Sequence, residues 1–319
     1  MTTIWSILLA ILIFGCIIAI HEFGHFIAAK RNGIQVNEFA IGMGPKIFHF
    51  QKGETLYSLR LFPVGGFCSM EGEDAESKNA RAFDQKPVWR RMIVVLAGAF
   101  MNLVLGFVLL IATTCSDPYL ISNTIHGFHE QATSNTCGLQ TGDTIVSLNG
   151  SHIFTITDLQ YKLSNESGEP FTVVVERDGK KVKLQDVTFR DQETNDWLDF
   201  SLEPQQKTVF HVLSYAAKDT VATGKLIWMS LTELVTGKYG IQDLSGPVGT
   251  VEVISNAATA GATAAERISS VLHLTIFITI NVGIFNLLPI PGLDGSRFWF
   301  LFLEAIRRKP VKKEHEALV

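Results

Sequence analysis

Two histidines and a glutamate share one helical turn of this chain: His21, Glu22 and His25, in the stretch HEFGH. Residues four apart lie on one face of a helix, so both imidazoles can reach a single metal ion. Zinc accepts neutral imidazole nitrogens and, in a catalytic site, takes a third protein ligand and keeps a position for water. A carboxylate beside the first histidine stands where it can take a proton from that water, the arrangement of metal-assisted peptide hydrolysis with Glu22 as general base. The setting separates this motif from a chance match. It closes an apolar run, residues 4–28 apart from Ser6 and the cluster itself, and ionisable groups there are costly unless they are paired.

The third ligand must come from elsewhere. The other polar cluster beside an apolar run is NLLPIPGLDG, Asn286 to Gly295. Pro289 and Pro291 break the helix there and Gly292 and Gly295 loosen it, and irregular backbone at membrane depth is tolerated only inside protein or against a cavity. Aspartate is also common as a helix cap. Beside Asn286, two prolines and a matching depth, Asp294 is favoured as the third ligand.

The elements that must position these groups follow from composition. Of 319 residues 47% are hydrophobic and 18% charged, below the roughly 25% charge of a soluble domain. The net charge of −4, with no basic arm, excludes nucleic acid as a partner. Four scattered cysteines form neither a CxxC pair nor a disulfide framework. Three runs, residues 4–28, 92–114 and 270–290, are long enough to cross a bilayer, which takes about 20 apolar residues. The first lacks the basic start and the A-x-A site of a signal peptide. Lysines and arginines crowd 30–91 and the tail after the third run, and the N-terminus before the first run has none. The positive-inside rule then puts the N-terminus outside, 30–91 inside, 115–268 outside and the tail inside, with HEFGH and the Asp294 cluster both towards the inner face.

Between the spans, IFHF-QKGE-TLYSLRLF alternates about Gly53 and reads as a hairpin. PVGGF follows, whose paired glycines permit close backbone approach. Outside, GLQTGDTIVSLNG, the helical DLQYKL and GEPFTVVVERDGKKVKLQDVTF are punctuated by NG and DG turns. This stretch, 118–204, resembles a PDZ domain of the bacterial kind, and such domains take an extended peptide or a free carboxyl end along a sheet edge. Residues 206–240 predict a helix on the outer membrane face, and SGPVG at 245–249 predicts a turn.

HEFGH in a first span, with N-x-x-P-x-P-x-L-D-G in a later one, resembles the site-2 protease family of intramembrane zinc metalloproteases, over nearly the whole chain. A PDZ domain between the second and third spans resembles the bacterial branch that cuts anti-sigma factors and remnant signal peptides. The resemblance implies His21, His25 and Asp294 as zinc ligands, Glu22 as catalytic base, and Asn286 as holding the substrate strand or the developing oxyanion. It implies that the hairpin with Gly65, Gly66 and Phe67 is a membrane-re-entrant β-loop beside the site. GMGP at 42–45 and SGPVG look like further family pieces. The family's A-G-P-x-x-N reads here Ala97-Gly98-Ala99-Phe100-Met101-Asn102, without the proline, and Ser296 follows LDG in place of glycine. The family also has a fourth span, and the chain reaches EALV within what looks like the loop before it.

The expectation is therefore a polytopic α-helical membrane protein of three spans, with an inserted α/β PDZ domain and a membrane-associated β-hairpin. Its segments are a first span at 1–30, a cytoplasmic or re-entrant hairpin loop at 31–91, a second span at 92–114 and an extracytoplasmic PDZ domain at 118–204. A membrane-surface helical linker at 206–268, a third span at 269–295 and a basic cytoplasmic tail at 296–319 follow. The expected partners are membrane-spanning protein substrates, the lipid bilayer and a peptide C-terminus at the PDZ domain. The expected location is a bacterial cytoplasmic membrane, with the active site near its cytoplasmic face. Two other classes compete: a scaffold that keeps the fold without needing Glu22, and a zincin of the prenyl-peptide type. The latter needs a downstream glutamate ligand, and Glu266 in AAERISS lacks the pattern.

Overall fold

The computed structural model describes residues 3–73, 75–165, 170–190, 198–237, 247–259, 261 and 263–309. The chain divides into two compact units, residues 1–108 with 241–319, and residues 109–240.

In the first unit, helix α1 (Thr3–Arg31) carries HEFGH in its last third. Lys30 and Arg31 occupy its last turn, where cations complement the helix dipole. Gly33 at φ +70° ends it. The amides of Gly33 and Ile34 bond back to Lys30 and Ala29, a left-handed closure that favours glycine. Helices α2 (Val88–Ser116) and α6 (Ala264–Phe285) are, with α1, the three described helices long and apolar enough to cross a membrane. At most 39% of the apolar stretch of each is buried within the protein, so the remaining surface suits lipid. α1 and α2 pack backbone to backbone at Gly24, where an added Cβ would come 2.3 Å from the Ala97 carbonyl oxygen. Small residues allow such approaches between membrane helices.

Strands β1 (Val36–Lys52) and β2 (Thr55–Met70) are much longer than the alternating stretch suggests. β1 bends back on β2, so Phe39 pairs with both Tyr57 and Cys68 and Ile41 with both Leu59 and Gly66. The result is four rungs, in the order 46–52, 55–60, 36–41, 66–70. The bends fall at Gly42, Gly44 and Gly65, all at positive φ, which bulges in a strand exploit. GMGP and PVGGF are thus the corners of one sheet. Phe39 and Tyr57 fix it to α1 through ring contacts with Phe26 at 5.3 and 5.9 Å.

Helix α5 (Pro247–Thr259) packs on α1 through Ile254 against Ala10, Ile13 and Ile17. SGPVG was expected as a turn. Its first two residues lie outside the described residues, and Pro247 begins a helix, because a missing N–H costs nothing at a first helical position. α6 starts in a capping box made by Thr263 and Glu266 and stops at Asn286, short of the expected end at 295. The residues 286–293 are turn and loop, and Asp294 opens a separate helix α7 (Asp294–Arg307). The EALV tail lies outside the described residues.

The second unit is built on a sheet with order β7-β6-β4-β3-β8, and β5 pairs with β4. Its strands are β3 (Leu120–Phe128), β4 (Thr144–Leu148), β5 (Ser151–His152), β6 (Phe171–Arg177), β7 (Lys180–Val187) and β8 (Phe200–Gln205). Helix α3 (Ile156–Asn165) covers it. Asn149-Gly150 and Asp178-Gly179 take positive φ at both positions, the turn that suits the twist of two-residue hairpins. Phe171, Val173 and Val175 alternate into a core with Ile145, Leu159 and Phe200. Helix α4 (Val209–Val235) is pinned to this domain: the buried Asp219 carboxylate accepts from the hydroxyls of Thr155 and Thr157 at 2.7 and 2.8 Å. The stretch expected on a membrane face thus buries Val212, Ala216, Ala222 and Leu226, while Phe210 and Trp228 stay exposed.

Candidate metal centre

HEFGH sits on the face of α1 that α2 covers, which buries both imidazoles; each histidine is 7% exposed. α7 brings the third group. Gly295 packs so tightly on the preceding loop that a Cβ there would meet the Leu288 carbonyl oxygen at 2.1 Å, and this holds the start of α7 against that loop. Leu293 takes the cap position of α7 and makes no side-chain cap bond, so the Asp294 carboxylate is free to turn to the histidines. Asp294 Oδ2 lies 2.8 Å from His21 Nε2 and 3.1 Å from His25 Nε2, and the two Nε2 atoms are 3.2 Å apart. These three side chains form the metal-ligand cluster found among the described residues.

The donor set fits a zinc ion. Ligands about 2.0–2.1 Å from tetrahedral zinc stand roughly 3.3 Å from one another, close to the separations seen. His25 Nδ1–H donates to the Val94 carbonyl at 2.8 Å, which turns Nε2 towards the cluster. The space is reserved by Gly98 of α2, where a Cβ would sit 2.3 Å from His25 Nε2 and 2.6 Å from His21 Nε2.

Glu22 faces a cavity of about 420 Å³ together with His25, Asp294, Phe67, Cys68, Met70, Glu73 and Arg297. Gly66 passes close by: its Cβ would meet Glu22 Cγ at 3.3 Å and the Ala40 carbonyl oxygen at 2.9 Å. Arg297, one turn beyond Asp294, ion-pairs with Glu73 across this cavity. Of the remaining expected residues, Phe67 lines the cavity under the Arg60 guanidinium, 4.8 Å from its ring. Gly65 is a sheet corner packed on Met43. Asn286 ends α6 and donates from Nδ2 to the Val282 carbonyl at 2.9 Å. The Glu266 carboxylate serves the α6 cap, so it is no metal ligand of a prenyl-peptide type. Sequence reasoning missed Gly98 and Asn102 as parts of this centre; Asn102 Nδ2 lies 3.3 Å from His21 Nδ1. Their signal was the spacing of four in AGAFMN, which puts both on the α2 face towards the histidines.

Two imidazoles and a carboxylate around one point, with a glutamate beside them in a cavity among apolar helices, define a metalloprotease built into a membrane. The chain belongs to peptidase family M50, whose model matches residues 9–319. It is 31% identical to the Bacillus subtilis regulator of sigma-W protease RasP, across 98% of this chain and 93% of that one. It is equally similar to the RasP zinc metalloprotease of Bacillus licheniformis, across 98% and 94%. A Clostridium acetobutylicum relative with a zinc-metalloprotease name is 36% identical, across 94% and 86%.

Proposed function

We propose that this zinc metalloendopeptidase cuts the transmembrane segments of single-span proteins, anti-sigma factors and remnant signal peptides, after a first extracytoplasmic cleavage. The observation that carries the proposal is the convergence of His21, His25 and Asp294 within 3.2 Å of one another, with Glu22 beside them, on helices that suit lipid. His21, His25 and Asp294 hold the metal. A zinc ion held there would supply Lewis-acid chemistry, making a water acidic near neutral pH and polarising the scissile carbonyl. Glu22, which faces the same cavity as His25 and Asp294, would take a proton from the attacking water as its oxygen bonds to the scissile carbonyl carbon, and would give that proton to the amine as the C–N bond breaks. Asn286 gives up its bond to Val282 and holds the substrate strand or the developing oxyanion.

A helical substrate hides its carbonyls in its own hydrogen bonds and must unwind to be cut. Rung 66–70 supports a way of offsetting that loss. It pairs with 36–41 on one side, and no strand pairs with its other side among the described residues. An unwound segment can add there by backbone hydrogen bonds, with Gly65, Gly66 and Phe67 leading it to Glu22. The distribution of lysine and arginine supports a multi-pass protein of the bacterial cytoplasmic membrane, with 31–91 and 296–319 cytoplasmic, the metal centre near that face, and 118–204 outside. In that outer domain a cavity of about 730 Å³ runs between Thr157, Tyr161 and Ser164 of α3 and Phe200 of the end strand β8. It offers a PDZ-type groove to a peptide C-terminus.

The test is a single-span model substrate, reconstituted with the protein in vesicles, and mass spectrometry of the products. Cuts within the apolar segment support the proposal; cuts confined to soluble flanks overturn it.

A further inference from the structure

The metal centre has a wall that neither motif contains. Asn102 stands one helical turn beyond Gly98 on α2 and is fully buried. Its Nδ2 lies 3.3 Å from His21 Nδ1, and its Oδ1 is buried without a hydrogen-bond partner. An imidazole that offers Nε2 to a cation must carry its proton on Nδ1, and in so dry a place that proton needs an acceptor. His25 has one in the Val94 carbonyl. For His21 the group set against Nδ1 is the Asn102 amide. An amide carries an acceptor Oδ1 and a donor Nδ2 in one plane, so this side chain can meet Nδ1 with either atom. With Oδ1 in that place the amide accepts from Nδ1–H, which frees the Nε2 lone pair for a cation.

We propose that Asn102 is a positioning residue of the metal centre: its amide oxygen accepts the His21 Nδ1–H and fixes that ring as a zinc ligand. The inference rests on the zinc site proposed above. It also gives the buried Oδ1 a partner.

The experiment is zinc affinity by chelator competition on the full chain in detergent, with the melting temperature of the zinc-free protein reporting the fold. Asn102→Ala and Asn102→Leu, one leaving space and one filling it, are expected to weaken zinc binding by about 10–100-fold, the usual effect of removing a partner of a metal-bound histidine. Asn102→Asp, whose carboxylate accepts the same N–H, is expected to bind zinc nearly as tightly as the parent. An apolar variant with the parent's affinity, or an aspartate variant as weak as the alanine one, overturns the inference. Should the leucine variant not fold, the alanine variant carries the comparison. Asp294→Asn, measured alongside, separates the two claims. If it keeps the parent's affinity, the ligand set is wrong and the inference falls with it. If it loses zinc while the apolar Asn102 variants keep theirs, only the role of Asn102 fails.

Discussion

A methyl group at position 98 would occupy space that the two metal-facing nitrogens need, since it would lie 2.3 and 2.6 Å from them. His25 cannot retreat without breaking its bond to the Val94 carbonyl. Gly98→Ala is therefore expected to weaken zinc binding by more than about 100-fold, beyond the effect of a lost hydrogen-bond partner. Chelator competition measures it, and an unchanged affinity would contradict this packing. His21, Glu22, His25 and Asp294 were legible in the sequence because their chemistry depends on residue type and spacing. Gly98 was not, because its contribution is the absence of a side chain, which only the approach of a neighbouring helix makes visible. Asn102 stood in plain view as a polar residue in an apolar span, but nothing in the chain says which ring it meets.

Elements explain where sequence reasoning fell short. The spans were legible because bilayer thickness fixes their length, and Pro289 and Pro291 were read as a break, yet the apolar run through NLLPI put the end of the third span at 295 where α6 ends at Phe285. Hydropathy cannot see a turn made of Leu287, Leu288 and two prolines. The four-rung sheet was read as a short hairpin, since Gly42, Gly44 and Gly65 look like turn punctuation when they are bends within longer strands. The turn of that sheet is tied to α1. The Arg81 guanidinium and the Lys30 ammonium, 2.5 and 2.6 Å from Glu54, hold its carboxyl down to about 2. A carboxyl lowered by folding contributes stability that is fully present above its ordinary value, 4.5, and is lost as pH falls through the folded value. Amide-exchange protection around residues 52–55 is thus expected to hold at neutral pH and to fall between about pH 4.5 and 2. In Glu54→Gln that titration should vanish; a parent profile that is flat over this window would contradict the tie.

For the whole molecule, the α/β domain between the second and third apolar helices raises the question of what it decides. If 118–204 filters substrates by bulk, its deletion is expected to let substrates that have not undergone the first cleavage be cut, seen as new products in the vesicle assay. Loss of all cleavage on deletion would rule the filter out. The central claim is that Glu22 is the base beside a zinc held by other residues, and it is tested most directly by Glu22→Gln in reconstituted protein, with zinc content and cleavage read on the same sample. The expected result is the parent's zinc content with cleavage lowered by about 10²–10⁴-fold, the contribution of a positioned proton acceptor. Cleavage at the parent's rate would contradict the account, because the fold would then be cutting without the residue that its metal centre is built around.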